Sequence, residues 1–130
     1  MKIAYIGKTN QTNSFICETI QSNYSAVITF HKPDDLFKEP EILDDKSLDL
    51  AILDLNSSYG NGNALQSIKK INQYLVTSPL LVMFPLNFTF IEPLIEAGAN
   101  GVISNTPTEY EITKAIDNLL NGDDYFVEPK

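Results

Sequence analysis

Short apolar runs that alternate with helix-forming segments are the feature that most constrains how this chain folds. Five runs have the length of a β-strand, and the segments between them carry apolar residues at helical spacing. Strands that alternate with helices favour βαβ units around a parallel sheet. The third and fourth runs are apolar without alternation, so we expect helices on both faces and a central place in the sheet. The predicted strands are residues 3–6, 26–30, 50–53, 80–84 and 101–103.

The last helix carries the clearest boundary signals. Thr106 is predicted to cap it, Pro107 suits its first position, and Glu109 completes a Thr-x-x-Glu capping box. Gly122 is placed to end the helix. Its predicted core stripe is Ile112, Ala115, Ile116, Leu119 and Leu120.

Two prolines predict irregular helices elsewhere. Pro40 follows the second strand and Pro93 lies early in the helical pattern of residues 90–97, and each removes a backbone donor. We therefore expect a broken or displaced second helix and a fourth helix that starts late. The third helix is predicted from apolar residues at Ala64, Leu65, Ile68, Ile71 and Leu75.

The composition fits a single domain over residues 1–130, because 43% of the residues are hydrophobic and 20% are charged. No apolar run approaches the roughly 18 residues of a bilayer span, and the apolar run at the amino terminus is too short for a signal peptide. We therefore expect a cytoplasmic protein without membrane contact. The single cysteine, Cys17, follows Phe15 and Ile16, which predicts a buried structural thiol.

The charge balance argues against contact with nucleic acids. Nine basic residues against 17 acidic ones give a formal net charge of −8, and such a surface repels phosphate backbones. Lys69 and Lys70 are the only adjacent basic pair. Any DNA contact would have to come from another domain or chain.

The candidate functional residues lie where the predicted strands end. In an open parallel sheet, ligands gather at the carboxyl ends of the strands, near the point where the strand order reverses. The first strand ends at Gly7 and Lys8, the third at Asp54 and the fourth at Phe84, and the fifth runs into Asn105.

The sequence resembles the receiver domains of bacterial two-component response regulators, particularly those that precede a LuxR/NarL-type DNA-binding domain. The matching segments, in the family's order and spacing, are residues 48–55, Gly60 and Gly62, residues 96–104 and residues 115–126. The resemblance implies a three-layer α/β/α, flavodoxin-like (CheY-like) fold with a five-stranded parallel sheet in the order 2-1-3-4-5. It also implies a linker that starts near residues 125–130.

In this family a histidine kinase phosphorylates an aspartate, and Mg²⁺ bridges the carboxylate and phosphoryl oxygens. The resemblance implies that Asp54 is the phosphoacceptor position and that Asn56 is the position whose carbonyl would bind the metal ion. The family's acidic pair falls on Gly7 and Lys8, which leaves no metal carboxylates there. We therefore expect no metal site, and neither Mg²⁺ nor another cofactor.

Two more family positions are altered. Phe84 replaces the hydroxyl residue that ends strand four, and Asn105 replaces the lysine after strand five. Val102 stands where the family often has an aromatic residue that swings inward on activation. These changes predict a protein that is not an enzyme and in which Asp54 is vestigial, with a salt bridge from Lys8 in place of the metal ion.

The predicted function is an atypical, phosphorylation-independent receiver domain in two-component signalling, which acts through a protein partner or a homodimer. It would regulate a DNA-binding output domain outside this chain, and a histidine kinase is the less favoured partner. Phe88, Phe90 and Ile91 are apolar at the predicted start of helix four, and with Val102 they form the predicted interaction face. The alternative for the first three is packing beneath the helix.

Three other interpretations stay open. In the first, the chain is a receiver that is still phosphorylated at a weakened aspartyl site. In the second, it is a flavodoxin-like protein that binds FMN or another small ligand. Residues 9–14 are rich in hydroxyls and amides, like a flavin phosphate loop, but they lack glycine, and the chain has no tryptophan. In the third, Asp54 only caps a loop.

The only histidine, His31, is expected in a solvated turn.

Overall fold

The computed structural model describes residues 1–55, 63–85 and 91–126, in which strands and helices alternate as predicted. The strands are β1 (Lys2–Ile6), β2 (Val27–His31), β3 (Leu50–Asp54), β4 (Leu80–Phe84), β5 (Gly101–Ser104) and β6 (Tyr125–Phe126). The helices are α1 (Gln11–Asn23), α2 (Pro33–Lys38), α3 (Asn63–Tyr74), α4 (Glu92–Ala97) and α5 (Glu109–Leu120), and a 3-10 helix (Pro40–Leu43) follows α2.

The strands form one parallel sheet in the order β2-β1-β3-β4-β5-β6. The predicted order 2-1-3-4-5 is confirmed. β6 extends the sheet by one strand that the sequence did not predict, pairing Tyr125 with Gly101 and Phe126 with Val102. A strand of two residues is too short to show the period-two pattern on which strand prediction depends.

Apolar side chains form a core on each face of the sheet. One core contains Leu53, Val82 and Val102 together with residues of α3 and α4. The other contains Tyr5, Ile52 and Met83 together with residues of α1 and α5. All five residues of β3 are buried, as expected for a central strand covered by helices on both faces.

Helix α5 begins two residues later than predicted. Thr106 does not cap it, because its backbone N–H donates to the Ser104 hydroxyl at 3.0 Å and the chain turns there. Thr108 is the N-cap: its hydroxyl accepts from the Glu111 N–H at 3.2 Å, and the Glu111 carboxylate accepts from the Thr108 N–H at 3.3 Å. The capping box is therefore Thr108-x-x-Glu111, and the one predicted at Thr106 and Glu109 is wrong.

The structure also tests the predicted end of α5 at Gly122, the predicted core position of Leu120 and the predicted burial of Cys17. Gly122 follows α5 with a φ of 86°, as a helix-terminating glycine does. Leu120 is 42% exposed and does not belong to the core stripe, whereas the neighbouring Leu119 is 4% exposed. Cys17 is only half-buried, and burial raises the pKa of its thiol.

The prolines act as predicted. α2 ends at Lys38, and the chain continues at Pro40 as a 3-10 helix. α4 is six residues long and carries Pro93 in its first turn. His31 ends β2 and is half-buried, so its predicted place in a solvated turn is wrong. Within the described segments, no helix is long and apolar enough to cross a bilayer.

Candidate functional site

The candidate site lies at the carboxyl edge of the sheet, beside the point where the strand order reverses between β1 and β3. Asp54 is the last residue of β3 and its neighbour in β4 is Met83. The Asp54 side chain is 5% exposed. A carboxylate this deeply buried needs hydrogen-bond donors around it, because burial without them costs several kcal/mol.

Asn13, in the first turn of α1, supplies one of these donors. Its amide nitrogen donates to Asp54 Oδ2 at 3.1 Å and to the Lys8 carbonyl at 2.6 Å. Its amide oxygen accepts from the Tyr5 hydroxyl at 2.5 Å. Asn13 is 2% exposed, and each polar group of its side chain has a partner. We call Tyr5, Asn13 and Asp54 the buried triad.

Local structure explains why Asn13 points into the sheet. α1 begins directly after β1, and the Asn10 side chain caps it by accepting from the Asn13 N–H at 2.7 Å. This cap fixes the first helical turn over the carboxyl end of β1. Tyr5 is held from the other side, because its ring stacks on Phe30 of β2 with centroids 5.3 Å apart.

Gly7 lies at the buried base of the site, close to Asn13 and Asp54. It is buried, and a Cβ added there would lie 3.0 Å from Asn13 Nδ2 and 3.1 Å from Asp54 Cβ. Contacts this short require neighbouring atoms to move. A side chain at position 7 therefore competes for the space that the buried triad occupies.

Lys8 contributes its backbone to the site. Its carbonyl accepts from Asn13, whereas its side chain is exposed to solvent. The salt bridge from Lys8 to Asp54 stays a prediction.

Phe84 and Asn105 meet at the ends of β4 and β5. The Phe84 side chain is half-buried and packs against the core that contains Val82, and its carbonyl accepts from the Asn105 N–H at 3.2 Å. Asn105 is half-buried. The structure thus brings Gly7, Asp54, Phe84 and Asn105 to one edge of the sheet, as predicted from the strand ends.

The predicted interaction face is only partly within the described residues. Asn56, Phe88 and Phe90 lie outside them. Ile91 is half-buried and packs against the core. Val102 is completely buried, with β4 and β6 on either side of its strand, so its assignment to an exposed interaction face is wrong.

The chemistry of the described part of the site centres on the Asp54 carboxylate, which accepts a hydrogen bond from the Asn13 amide. In the described segments, no three His, Cys, Asp or Glu side chains come close enough together to hold a metal ion. The shown contact to Asp54 Oδ2 comes from an amide, which donates a hydrogen bond but adds no positive charge.

A cavity of about 160 Å³ lies beside the first turn of α1. Ligand pockets usually measure roughly 300–1,000 Å³, so it is small for a flavin. Residues 11–14, which resemble part of a phosphate loop, are helical. The cavity is lined by Thr9, Asn10, Asn13, Ser14, Cys17 and Phe30.

Sequence reasoning missed Tyr5 and Asn13. An asparagine near a helix start is usually a cap, and the spacing Asn10-x-x-Asn13 fits that explanation. The one available signal was a second asparagine at the third helical position, where a capping box would have Glu or Gln.

No protein-family model matches the sequence, and a search of curated proteins finds no match. Solved structures do match. The receiver domain of RcsB from Salmonella enterica serovar Typhimurium, in the presence of the phosphomimetic BeF₃⁻, is similar with a TM-score of 0.77 and 15% identity, over 99% of this chain and 94% of that one. A LuxR family DNA-binding response regulator from Silicibacter pomeroyi has a TM-score of 0.70 and 15% identity, over 98% of this chain and 97% of that one.

A longer chain is similar as well. The RcsB response regulator of Salmonella typhimurium, studied for its DNA interaction, has a TM-score of 0.77 and 15% identity, over 98% of this chain and 62% of that one. This chain therefore corresponds to the receiver part of that protein. These likenesses show that the chain has the fold of response-regulator receiver domains.

Proposed function

We propose that this chain is a receiver-type signalling module that acts through protein contacts and does not depend on phosphorylation of Asp54. The observation that carries the proposal is the buried triad: the Asp54 carboxylate is 5% exposed and hydrogen-bonded to the Asn13 amide. This hydrogen bond engages one oxygen of the carboxylate at the family's phosphoacceptor position.

Charge supports the same conclusion. Phosphoryl transfer gathers negative charge, and enzymes and receivers stabilise it with metal ions or cationic side chains. At the two positions after β1, this chain has a buried glycine that touches the triad and a lysine whose side chain is exposed. A hard cation such as Mg²⁺ needs oxygen ligands, preferably carboxylates, and Gly7 supplies none from its side chain.

Packing at β4 supports it too. Phe84 packs against the core at the strand end where a hydroxyl would hold the phosphoryl group. Asn105, at the position of the family's lysine, donates its backbone N–H to the Phe84 carbonyl. These residues hold the ends of β4 and β5 together without charge, which suits a fixed scaffold better than a phosphate-driven switch.

The alternative is a receiver that still accepts a phosphoryl group slowly. Incubation with acetyl phosphate and Mg²⁺, followed by intact-mass measurement, separates the two, with Asp54→Asn as the matched control. We expect no added mass on either chain. Addition of one phosphoryl group to the unmodified chain, and none to Asp54→Asn, would establish the alternative.

A second readout does not need a covalent product. Beryllofluoride with Mg²⁺ mimics the phosphorylated aspartate, and amide NMR reports on the ends of β3, β4 and β5. We expect the resonances of Asp54, Phe84 and Asn105 to keep their positions. Shifts at all three would mean that the site still closes around a phosphate mimic.

The proposed module contacts proteins and not nucleic acid. Its net charge of −8 disfavours a phosphate backbone. The DNA interaction named for the longer RcsB chain belongs to that protein, and an output domain here would be a separate unit.

A further inference from the structure

β2 forms an open edge of the sheet. Its five residues pair with β1 on one side, and within the described segments no strand pairs with its other side. Exposed edge strands offer unpaired backbone donors and acceptors to another chain. Native proteins usually block such edges with charges, proline or a bulge.

β2 carries none of these blocks. Its sequence, Val-Ile-Thr-Phe-His, contains no acidic residue, lysine, arginine or proline. Its register with β1 runs through five consecutive pairs, so no bulge interrupts it. Val27 is 66% exposed and Phe30 is 39% exposed. The edge is therefore regular, free of lysine, arginine and acidic residues, and partly accessible.

The backbone direction shows which groups face outward. The Val27 N–H donates to the Met1 carbonyl at 2.7 Å, and the His31 carbonyl accepts from the Gly7 N–H at 3.0 Å. Residues 27, 29 and 31 thus direct their backbone groups to β1. Because alternate residues of a strand face opposite sides, Ile28 and Phe30 direct theirs to the open edge.

We propose that the open edge of β2 pairs with β2 of a second copy of this chain. The strands run antiparallel about a twofold axis at Thr29. Ile28 then lies opposite the partner subunit's Phe30, and each such pair exchanges two backbone hydrogen bonds. The two pairs make four bonds, and two six-stranded sheets become one.

Local structure selects this register. A shift in one direction would bring Ala26 into the pairing, but its N–H already donates to the Tyr24 carbonyl at 2.9 Å. A shift in the other direction would use Lys32, whose carbonyl accepts from the Leu36 N–H at 3.0 Å. Only the register centred on Thr29 pairs both Ile28 and Phe30 and leaves the hydrogen bonds of the Ala26 N–H and the Lys32 carbonyl intact.

The side chains fit a second copy as partner. Ile28 and Phe30 are equally spaced about Thr29, so the twofold axis sets one apolar side chain against the other on the same face. Each chain carries a net charge of −8, yet no charged residue lies within β2, so no like charges meet in the paired strands. A five-residue seam is smaller than a standard interface, which predicts weak, reversible association.

Cysteine cross-linking tests the register. In the paired strands the two copies of residue 29 form a non-hydrogen-bonded pair with Cα atoms about 4.5 Å apart, within disulfide range. Thr29→Cys in a Cys17→Ala background should form a covalent dimer under mild oxidation. Val27→Cys in the same background is the matched control, because its two copies would lie about 13 Å apart. Equal cross-linking of both, or none of Thr29→Cys, would overturn the proposal.

Sedimentation over a range of concentrations tests the association without cysteines. Thr29→Glu should raise the dissociation constant about tenfold, because the two copies of residue 29 lie opposite each other and the change sets two carboxylates side by side. Val76→Glu is the control: Val76 is 41% exposed and lies before β4, three strands from β2. A chain that stays monomeric throughout, or a dimer that Thr29→Glu leaves unchanged, would contradict the proposal.

This pairing would supply one surface for the protein contacts in the proposed function. The pairing rests on the proposed function only in assuming that the module works by protein contacts. The phosphorylation test reads the Asp54 pocket, whereas cross-linking reads the β2 edge. Failure of one proposal is therefore distinguishable from failure of the other.

Discussion

At the scale of single residues, the side chain of Asn13 connects the members of the buried triad. Asn13 bridges a phenol, a backbone carbonyl and a carboxylate with one amide group. Buried polar networks in which each member is satisfied are rigid, and loss of one member costs more than the bond itself.

Replacement of Asn13 should therefore destabilise the fold. Asn13→Ala takes this partner from Tyr5, Lys8 and Asp54 at once, and we expect it to lower the free energy of unfolding by about 2–4 kcal/mol. Gln21→Ala, at an exposed position on the same helix, should change it by less than about 0.5 kcal/mol. Urea denaturation measures both, and equal effects would show that the Asn13 bonds contribute little.

Replacement of Gly7 by an acidic residue should lower the stability of the fold. Gly7→Asp puts a Cβ about 3 Å from Asn13 and Asp54 and adds a second carboxylate, so we expect a loss of about 1–3 kcal/mol. Gly7→Ala should cost less, because it adds the contact without the charge. Thermal unfolding gives the ranking, with Thr9→Ala, at an exposed position, as control. A Gly7→Asp chain as stable as Gly7→Ala would remove the electrostatic part of this reasoning.

At the scale of elements, the positions of the strands were predictable and the helix boundaries less so. The predicted strands coincide with β1 to β5 within one residue at each end. Continuous apolar runs identify the buried parallel strands, and the β-branched and aromatic residues of β2 identify the edge strand. The cap of α5 was misplaced because two Thr-x-x-Glu motifs overlap, and the turn after Ser104 decides between them.

The two threonines before α5 offer a direct check. Thr108→Ala removes the side-chain acceptor of the Glu111 N–H, so we expect α5 to lose about 1 kcal/mol of stability. Thr106→Ala is the matched control, since Thr106 caps nothing in α5. Urea denaturation of the two variants should separate them, and a larger effect at Thr106 would favour the boundary predicted from sequence.

At the scale of the whole molecule, a partly exposed ion pair and a buried, hydrogen-bonded carboxylate lie at opposite ends of the sheet. The amino edge carries an ion pair between Lys2 and Asp45, and Ser47 donates to the same carboxylate. The carboxyl edge holds the buried triad. The sequence could predict that Asp54 stands at a strand end, but not its contacts, because Asn13 and Asp54 are 41 residues apart along the chain and only the folded sheet brings them together.

The amino edge predicts a specific acid sensitivity. The hydrogen bond from Lys2, with those from Ser47, lowers the pKa of Asp45 from 3.8 to about 2. A carboxyl with a lowered folded-state pKa stabilises the fold above its unfolded pKa, and this contribution disappears as the pH falls from 3.8 through about 2.

Asp45→Asn should therefore lose less stability over that pH interval than the unmodified chain. Asp44→Asn, at the exposed neighbouring position, is the control and should follow the unmodified chain. Chemical denaturation at a series of acidic pH values measures the slopes. Identical slopes for all three chains would show that the Lys2 contact has no energetic weight.

The close approach of Gly7 to Asn13 and Asp54 also makes substitutions at positions 7 and 13 interdependent. A side chain at position 7 competes with the Asn13 amide for the same space, so a smaller residue at position 13 should reduce the packing cost of an aspartate at position 7. The order in which the two positions are substituted therefore decides how much stability each step costs.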